Sequence, residues 1–427
     1  MRFVRGVEQG AFIGRVRGCD PGQVLVVPVD VGKATAMAMV VDVFGEVVAP
    51  ALEFDLHERG VEQVLAMIAR AEAAREARMV RVGVEAAGHY HRTLVARLVD
   101  AGCEVVELNP AMVAKAREEQ GRRGLKTDLT DLAAMAELLA RGAGHEPTLL
   151  DGAMAAQAAW AAHRRRKIKA RVALGNQITS QLDLVFPGLD GCYADLLEAR
   201  SGRVILAHCP DPDRVRRLGV EGLRRYVTKR GVAMTRPKAA QVVTAARGAL
   251  QLPAGERKAR SAVLSADVVL FEALNREIAA ADAVLADVLA DTPAGVLTSL
   301  PGVAVVRASL YGAGLGDPRR FRNANSAYRY AGLNPTSYDS AGKSRSGQHI
   351  SRAGSAELRD AIIELGRGLA DHHPDFAAYR TRKTSEGKKK SAVSVAVAHR
   401  AHRLAFAMVR HQTLFDPDQW EASVAAD

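Results

Sequence analysis

Four acidic residues have the types and order needed for cation-assisted phosphoryl transfer. Asp30 closes the apolar run VLVVPVD, Glu85 closes a second run, MVRVGVE, and Asp128 and Asp131 form a pair in KTDLTDL ahead of an Ala/Leu-rich stretch. A carboxylate at the end of a core strand must be solvated, paired or bound to a cation, because its charge is costly in apolar surroundings. Divalent cations held near each other activate one oxygen and stabilise another during phosphoryl transfer. Mg²⁺ suits such a set, since it takes oxygen ligands and keeps several waters, so that a few carboxylates suffice. On a helix, Asp128 and Asp131 share a face and can point together at an ion near Asp30.

Each acid also has a blander reading. TDLTD ahead of a helix reads as N-cap chemistry, with Asp and Thr accepting from free amides. Asp30 reads as a turn residue, and Glu85 as a partner of Arg81 or His89. The joint reading rests on placement: an Asp ending strand one, a Glu ending strand four and an acidic pair opening a late helix converge at one end of a sheet. His89 and His91, in EAAGHYH, are a thin zinc signal without further Cys or His nearby. The favoured reading there is a helix-start pair that faces solvent or touches phosphate.

The elements that must position these residues follow from periodicity. Residues 24–53 read as three strands with tight turns, and residues 58–76 carry a helical stripe of Val61, Val64, Leu65, Ile68 and Ala71. MVRVGVE is a fourth strand, HYHRTLVARLVDAG a helix stopped at Gly102, and CEVVELNP a fifth strand, with helices following from about 111 and 129. Three strands followed by alternating helix and strand predict an α/β domain with a mixed sheet, in the element order of the ribonuclease H fold.

The rest reads as helical. One long helix is expected over 151–185, shorter ones over 213–250 and another long one over 256–289, which together make an antiparallel coiled-coil arm suited to self-association. SLPGVAVVRASLYGAG places a Pro-Gly hairpin between two helices, a helix-hairpin-helix-like element whose amides can grip a phosphate. KTSEGKKK, residues 383–390, reads as a basic loop ahead of a final helix.

Composition bounds the partners. The chain has 427 residues, 48% hydrophobic, which requires more than one core and argues against disorder. The net charge of +11 points to a polyanion, while 5% aromatics argues against base stacking as the main mode of binding. Cys19, Cys103, Cys192 and Cys209 are scattered, with no CxxC pair, and read as reduced thiols of a cytoplasmic protein. No apolar run approaches the ~18 residues of a membrane span, and the basic N-terminus has no signal-peptide core, so it reads as a flexible arm.

A serine-rich segment, LNPTSYDSAGKSRSGQHISRAG, carries Ser337, Ser340, Ser344, Ser346 and Ser351 among Lys343, Arg345 and Arg352. Residue chemistry favours a phosphate-gripping loop. The sharper alternative makes one serine a nucleophile that forms a covalent phosphoester.

These motifs together resemble the DEDD transposases of bacterial insertion sequences, the group that also uses a serine and is guided by an element-encoded bridge RNA. VDVGKA, VGVEAAGHYHRTL and KTDLTDLAAMAELL are similar to its RuvC-like domain. LTSLPGVAVVRASL, GDPRRFRNANSAYRYAGLNP and SYDSAGKSRSGQHISRAGSAELRDAI are similar to its C-terminal transposase domain. After the flexible basic arm over 1–22, the resemblance implies a ribonuclease H-like (RuvC-like) catalytic domain over 23–150, a helical coiled-coil region over 151–292 and a mostly helical transposase domain over 293–427. It puts Asp30, Glu85, Asp128 and Asp131 on the acidic, Mg²⁺-binding positions and Ser340 on the nucleophile, with Ser337 as the fallback. The N-terminal extension and the long middle region depart from the family's pattern.

The resemblance further implies that Ser340 becomes linked to a DNA 5′-phosphate and that strand exchange reverses this step on a new partner. No ATP is then required, in keeping with the absence of GxxxxGK[ST]. The partners it implies are donor and target DNA, bridge RNA read mainly through backbone and shape, and further copies of the chain as a dimer or tetramer that combines acids and serine from different protomers. Expected nucleic-acid contacts are Arg164, Arg165, Arg166, Lys167 and Lys169, then Arg319, Arg320, Arg322, Lys343 and Arg345; each is equally well read alone as part of a solvated face. The implied location is the bacterial cytoplasm, at the nucleoid. The rival readings are a RuvC-like endonuclease using water, an inactive nucleic-acid-binding relative and, sharing only the early strands, a sugar-kinase-like ATPase.

Overall fold

The computed structural model describes residues 12, 14–86, 88–121, 127–150, 152–336 and 349–417, together with the backbone of 339–340 and 343–344. The chain divides into two compact units, Met1–Leu149 and Leu150–Asp427.

The first unit is built on β1 (Val24–Val31), β2 (Thr35–Asp42), β3 (Val47–Asp55), β4 (Met79–Glu85) and β5 (Glu104–Leu108), interleaved with α1 (Glu58–Arg75), α2 (His91–Asp100), α3 (Pro110–Glu119) and α4 (Asp128–Ala140). The sheet order is β3-β2-β1-β4-β5. β1 pairs antiparallel with β2, and β2 with β3, whereas β1–β4 and β4–β5 are parallel. Strand alternation divides the apolar residues between two faces. Leu25, Val27, Val29, Ala38, Val40, Val82 and Val84 meet Val64, Ile68, Val95 and Leu98 of α1 and α2. Val26, Met39, Val41, Val106 and Leu108 meet Val113, Leu132, Met135 and Leu139 of α3 and α4. The result is a three-layer α/β/α unit. Gly83 is needed for the second face, since a Cβ there would collide with the Leu139 side chain of α4.

The N-terminal segment departs from the expected flexible arm. From Phe12 onward its described residues pack on the unit: Phe12 is 1% exposed, clusters with Val24 and Met79, and lies under the Arg81 guanidinium at 4.2 Å. Arg15 forks onto Glu104. Residues 1–11 and 13 lie outside the described set.

The second unit is mostly helical. α5 (Gly152–Val185) and α9 (Ala254–Leu289) enclose an insert of α6 (Arg200–His208), α7 (Pro212–Thr228) and α8 (Arg236–Gly248). The long helices run antiparallel: His163 meets Glu277, Arg171 meets Asn275, Gln177 meets Asp267 and Gln181 meets Arg260, so one number falls as the other rises. Their distal halves share a core with the insert, through Leu174, Ile178, Leu264, Val268 and Phe271. α10 (Val305–Leu315), α11 (Ala324–Tyr330), α12 (Ala356–His372), α13 (Pro374–Ser385) and α14 (Lys390–His411) form a separate core around Tyr311, Ile362, Leu365 and Phe406. The segment ahead of the Pro-Gly turn is a 3-10 helix, Pro293–Ser299, rather than an α-helix. The turn itself packs on α12, where a Cβ at Gly302 (φ 73°) would strike Gly368 O and the His372 ring. Of the expected basic loop at 383–390, residues 386–389 link α13 to α14 and the rest are helix ends, with Lys383 and Lys388 both on Glu386.

Candidate active site

Strand register brings the acids together. β1 and β4 run parallel with Val29 beside Val84, so the next residues, Asp30 and Glu85, stand side by side. Across β1–β2, Asp30 faces Met37, and Met37 in turn faces Glu53 of β3. Residues directly opposite in a sheet share a face, so Glu85, Asp30, Met37 and Glu53 form one row across four strands. The row lies on the α3/α4 face, two residues past Pro28 and four past the buried Val26 on β1.

Helix α4 supplies the remaining two carboxylates. Its N-terminus is a capping box made by threonines: Thr127 Oγ1 accepts from Thr130 N, and Thr130 Oγ1 accepts from Thr127 N at 3.0 Å. The N-cap reading of TDLTD therefore holds for the threonines, which leaves the aspartates to face elsewhere. Asp128 is exposed and Asp131 buried. Asp30, Glu85, Asp128, Asp131 and Glu53 line one cavity of about 270 Å³ with Gly32, Thr35 and Met37.

Carboxylate oxygens are the donors a hard divalent cation requires, so the residues fit Mg²⁺ in kind and number. Among the described residues, no three His, Cys, Asp or Glu side chains stand close enough to hold an ion as they are. Asp131 is instead engaged by Arg117 Nη1 of α3.

Two profiles for transposase families match the chain, the DEDD transposase profile over residues 27–187 and that of the IS116/IS110/IS902 transposases over residues 294–381. The chain belongs to the IS110 family of transposases. It is similar to the uncharacterized 44.8 kDa protein of insertion element IS116 from Streptomyces clavuligerus, at 26% identity over 92% of this chain and 96% of that protein. The uncharacterized 43.6 kDa protein of insertion element IS110 from Streptomyces coelicolor is 32% identical over 28% of this chain and 30% of its own length. A pilin gene-inverting protein of Moraxella bovis is 26% identical over 29% of this chain and 38% of its own. By class, then, this transposase is an enzyme that cleaves and rejoins DNA strands.

In the transposase the described parts of the serine segment pair antiparallel. Ser351 N donates to Asn334 O and Thr336 N to His349 O, and further out Asp339 pairs with Ser344 and Ser340 with Lys343. Ser340 is the last residue of the strand Asp339–Ser340, ahead of Ala341 and Gly342 in the sequence. Only backbone is described for Ser340 and Lys343, and Ser337 and Arg345 lie outside the described residues.

The basic stretch on α5 splits in two. Arg164 is held by Asp282, and Arg165 by Glu357 and Asp360, so these two serve as internal ties rather than as the expected free contacts. Arg166 and Lys169 are exposed and Lys167 half-buried. Arg319 is exposed and forks onto Asp317, Arg322 is exposed, and Arg320 lies 4.5 Å from the centroids of both Phe321 and Tyr330.

His91 is corrected outright. It is 6% exposed, not solvent-facing, and its Nε2 lies 3.3 Å from Glu107, which His145 approaches on its other oxygen. His145 and His91 hold the Glu107 carboxyl below its ordinary range. Glu53 and Arg117 were passed over in the sequence. Only the registers of the β1–β2 and β2–β3 hairpins together could have flagged Glu53, and nothing local marks Arg117.

Proposed function

We propose that the chain is a bridge-RNA-guided DNA recombinase that works through a covalent phosphoserine at Ser340 and a Mg²⁺ site formed by Asp30, Glu85, Asp128 and Asp131. The observation that carries this reading is the row of carboxylates on a single cavity, reached from β1, β4 and α4. The sheet order and mixed pairing support a ribonuclease H-like (RuvC-like) domain over about 23–150, followed by an arm over 151–292 and a transposase domain over 293–427.

In this reading the Ser340 hydroxyl gives up its proton and its Oγ bonds to phosphorus, while the bond from phosphorus to the 3′-oxygen breaks and that oxygen takes up a proton. The 5′-phosphate stays on the serine until a 3′-hydroxyl of the partner strand attacks it and restores the free serine. The bound cation supplies Lewis-acid polarisation of the phosphate and charge stabilisation at the leaving oxygen. Asp30 and Glu85, fixed by in-register strands, and Asp128 and Asp131, from helix α4, would hold that cation. Arg166, Lys167, Lys169, Arg319, Arg320, Arg322, Lys343 and Arg345 hold DNA or RNA backbone, and the active form is an oligomer at the bacterial nucleoid. No helix among the described residues is long and apolar enough to cross a membrane.

Labelled cognate DNA incubated with the protein, bridge RNA and Mg²⁺ is expected to give an SDS-resistant protein–DNA adduct that Ser340→Ala abolishes. An adduct that survives that substitution rules out Ser340. Cleaved ends with no adduct at all favour water as the nucleophile.

A further inference from the structure

Asp131 is 3% exposed, and the Arg117 side chain that holds it is 17% exposed. Arg117 stands in the last turns of α3 and Asp131 in the first turn of α4, so one ion pair joins two helices that pack on the same sheet face. The cavity that Asp131 lines presents five carboxylates and, among its lining residues, no lysine or arginine. A buried carboxylate needs a counter-charge, and the lining itself supplies none, so a compensating cation is worth most here. A guanidinium cannot shed its proton. Arg117 therefore supplies a permanent positive charge from outside the row and commits Asp131 Oδ1 to itself.

On the cation-site reading proposed above, we infer that Arg117 is a displaceable counter-cation. It neutralises Asp131 while no divalent ion is bound, and it must yield that oxygen before Asp131 can serve as a ligand. Metal uptake is then a competition between an ion and a guanidinium for one buried carboxylate. This differs from a fixed positioning role, in which Arg117 would aim Asp131 at the ion and its loss would weaken binding. Competition predicts the opposite sign, because removing the guanidinium leaves a buried carboxylate with no partner but the metal.

The test uses full-length protein and Mn²⁺, with free ion counted by electron paramagnetic resonance, in wild type, Arg117→Met, Arg117→Lys and Asp30→Asn. Arg117→Met keeps an apolar stem and is expected to bind Mn²⁺ roughly tenfold more tightly, the scale of one charge-assisted hydrogen bond removed from the competition. Arg117→Lys keeps the charge without the fork and is expected to fall between the two. Without metal, Arg117→Met should melt below wild type, and its melting temperature should rise more on Mn²⁺ addition. Equal or weaker Mn²⁺ binding in Arg117→Met, with Asp30→Asn still abolishing wild-type binding, overturns the inference and leaves the cation site standing. Wild-type binding no tighter than that of Asp30→Asn removes the cation site and the inference together.

Discussion

The two units bury polar groups in opposite ways. In the first, charged side chains are buried: Asp131 with Arg117, and Arg81 near Glu104 at 3.9 Å, with the half-buried Glu107 against His91. In the second, the buried network described is neutral. Tyr311 donates its hydroxyl to His402 Nδ1 at 3.0 Å, and His402 Nε2 donates to Ala324 O at 2.9 Å. Gln157 Nε2 donates to Thr292 Oγ1 and Ser309 to Leu285 O. Burying charge is expensive and repays only where the charge has work to do. A satisfied neutral network costs little and fixes geometry. Of the first unit's buried charges, Asp131 is the one that lines the candidate cavity. The second uses hydrogen bonds to lock α11, which leads into the serine segment, against α14.

The largest effect expected from this contrast is on catalysis. Asp30→Asn should cut single-turnover strand cleavage by roughly a thousandfold or more, the scale of several kcal/mol of cation-assisted stabilisation. It should still unfold in a single cooperative thermal transition. A variant that cleaves normally, or that merely unfolds, would erase the distinction between the units.

The next effect is on stability and should separate the units by pH. Burial lowers His402 from 6.5 to about 4, and His399 on the same helix is also lowered by burial and by Arg403. Below 6.5 the unfolded chain takes up a proton that the folded His402 refuses, so its contribution is complete above pH 6.5 and drains away as pH falls toward 4. That loss amounts to about 3 kcal/mol for His402. Glu107 is lowered from 4.5, so its contribution is present above that pH and is lost only below it. Amide exchange on the full chain should show the core of α10–α14 loosening between pH 6.5 and 4, ahead of β4 and β5. Simultaneous loosening, or the reverse order, would contradict the neutral-network account.

The smallest effect separates neighbours on one helix. Arg166→Ala and Lys169→Ala should each flatten the salt dependence of nucleic-acid binding by about 0.7–0.9 in log–log slope and leave the melting temperature unchanged. Arg164→Ala and Arg165→Ala should leave the slope alone and cost up to about 1 kcal/mol each, since both pairs are partly solvated. Equal slopes for all four would mean that the ion pairs open on binding.

The first unit was legible because its strands and helices alternate with clear periods, and β1 through α4 fall within a residue or two of the expected spans. The acids were legible because a charge ending an apolar run is anomalous where it stands. What escaped depends on distant residues. Arg165 looks like any surface arginine until Asp360 arrives from 195 residues away. Glu53 is an ordinary exposed strand residue until two hairpin registers align it with Asp30. His91 reads as a surface residue in the sequence because its partner Glu107 comes from the next strand. Phe12 sits among basic residues in a run too short to show a period. The sequence around Ser340 shows no period-two alternation of polar and apolar residues, and its pairing at 334–336 with 349–351 and at 339–340 with 343–344 is what defines it.

The antiparallel pairing of α5 with α9 has one more consequence. Both helices are rooted in the same core, through Gln157 and Leu289, and share the insert's core at the far end. Seven residues added to each, in step, would lengthen the span by about 10 Å and keep the same faces in contact. Reach can therefore change independently of everything at the root, like a boom extended without moving its mast.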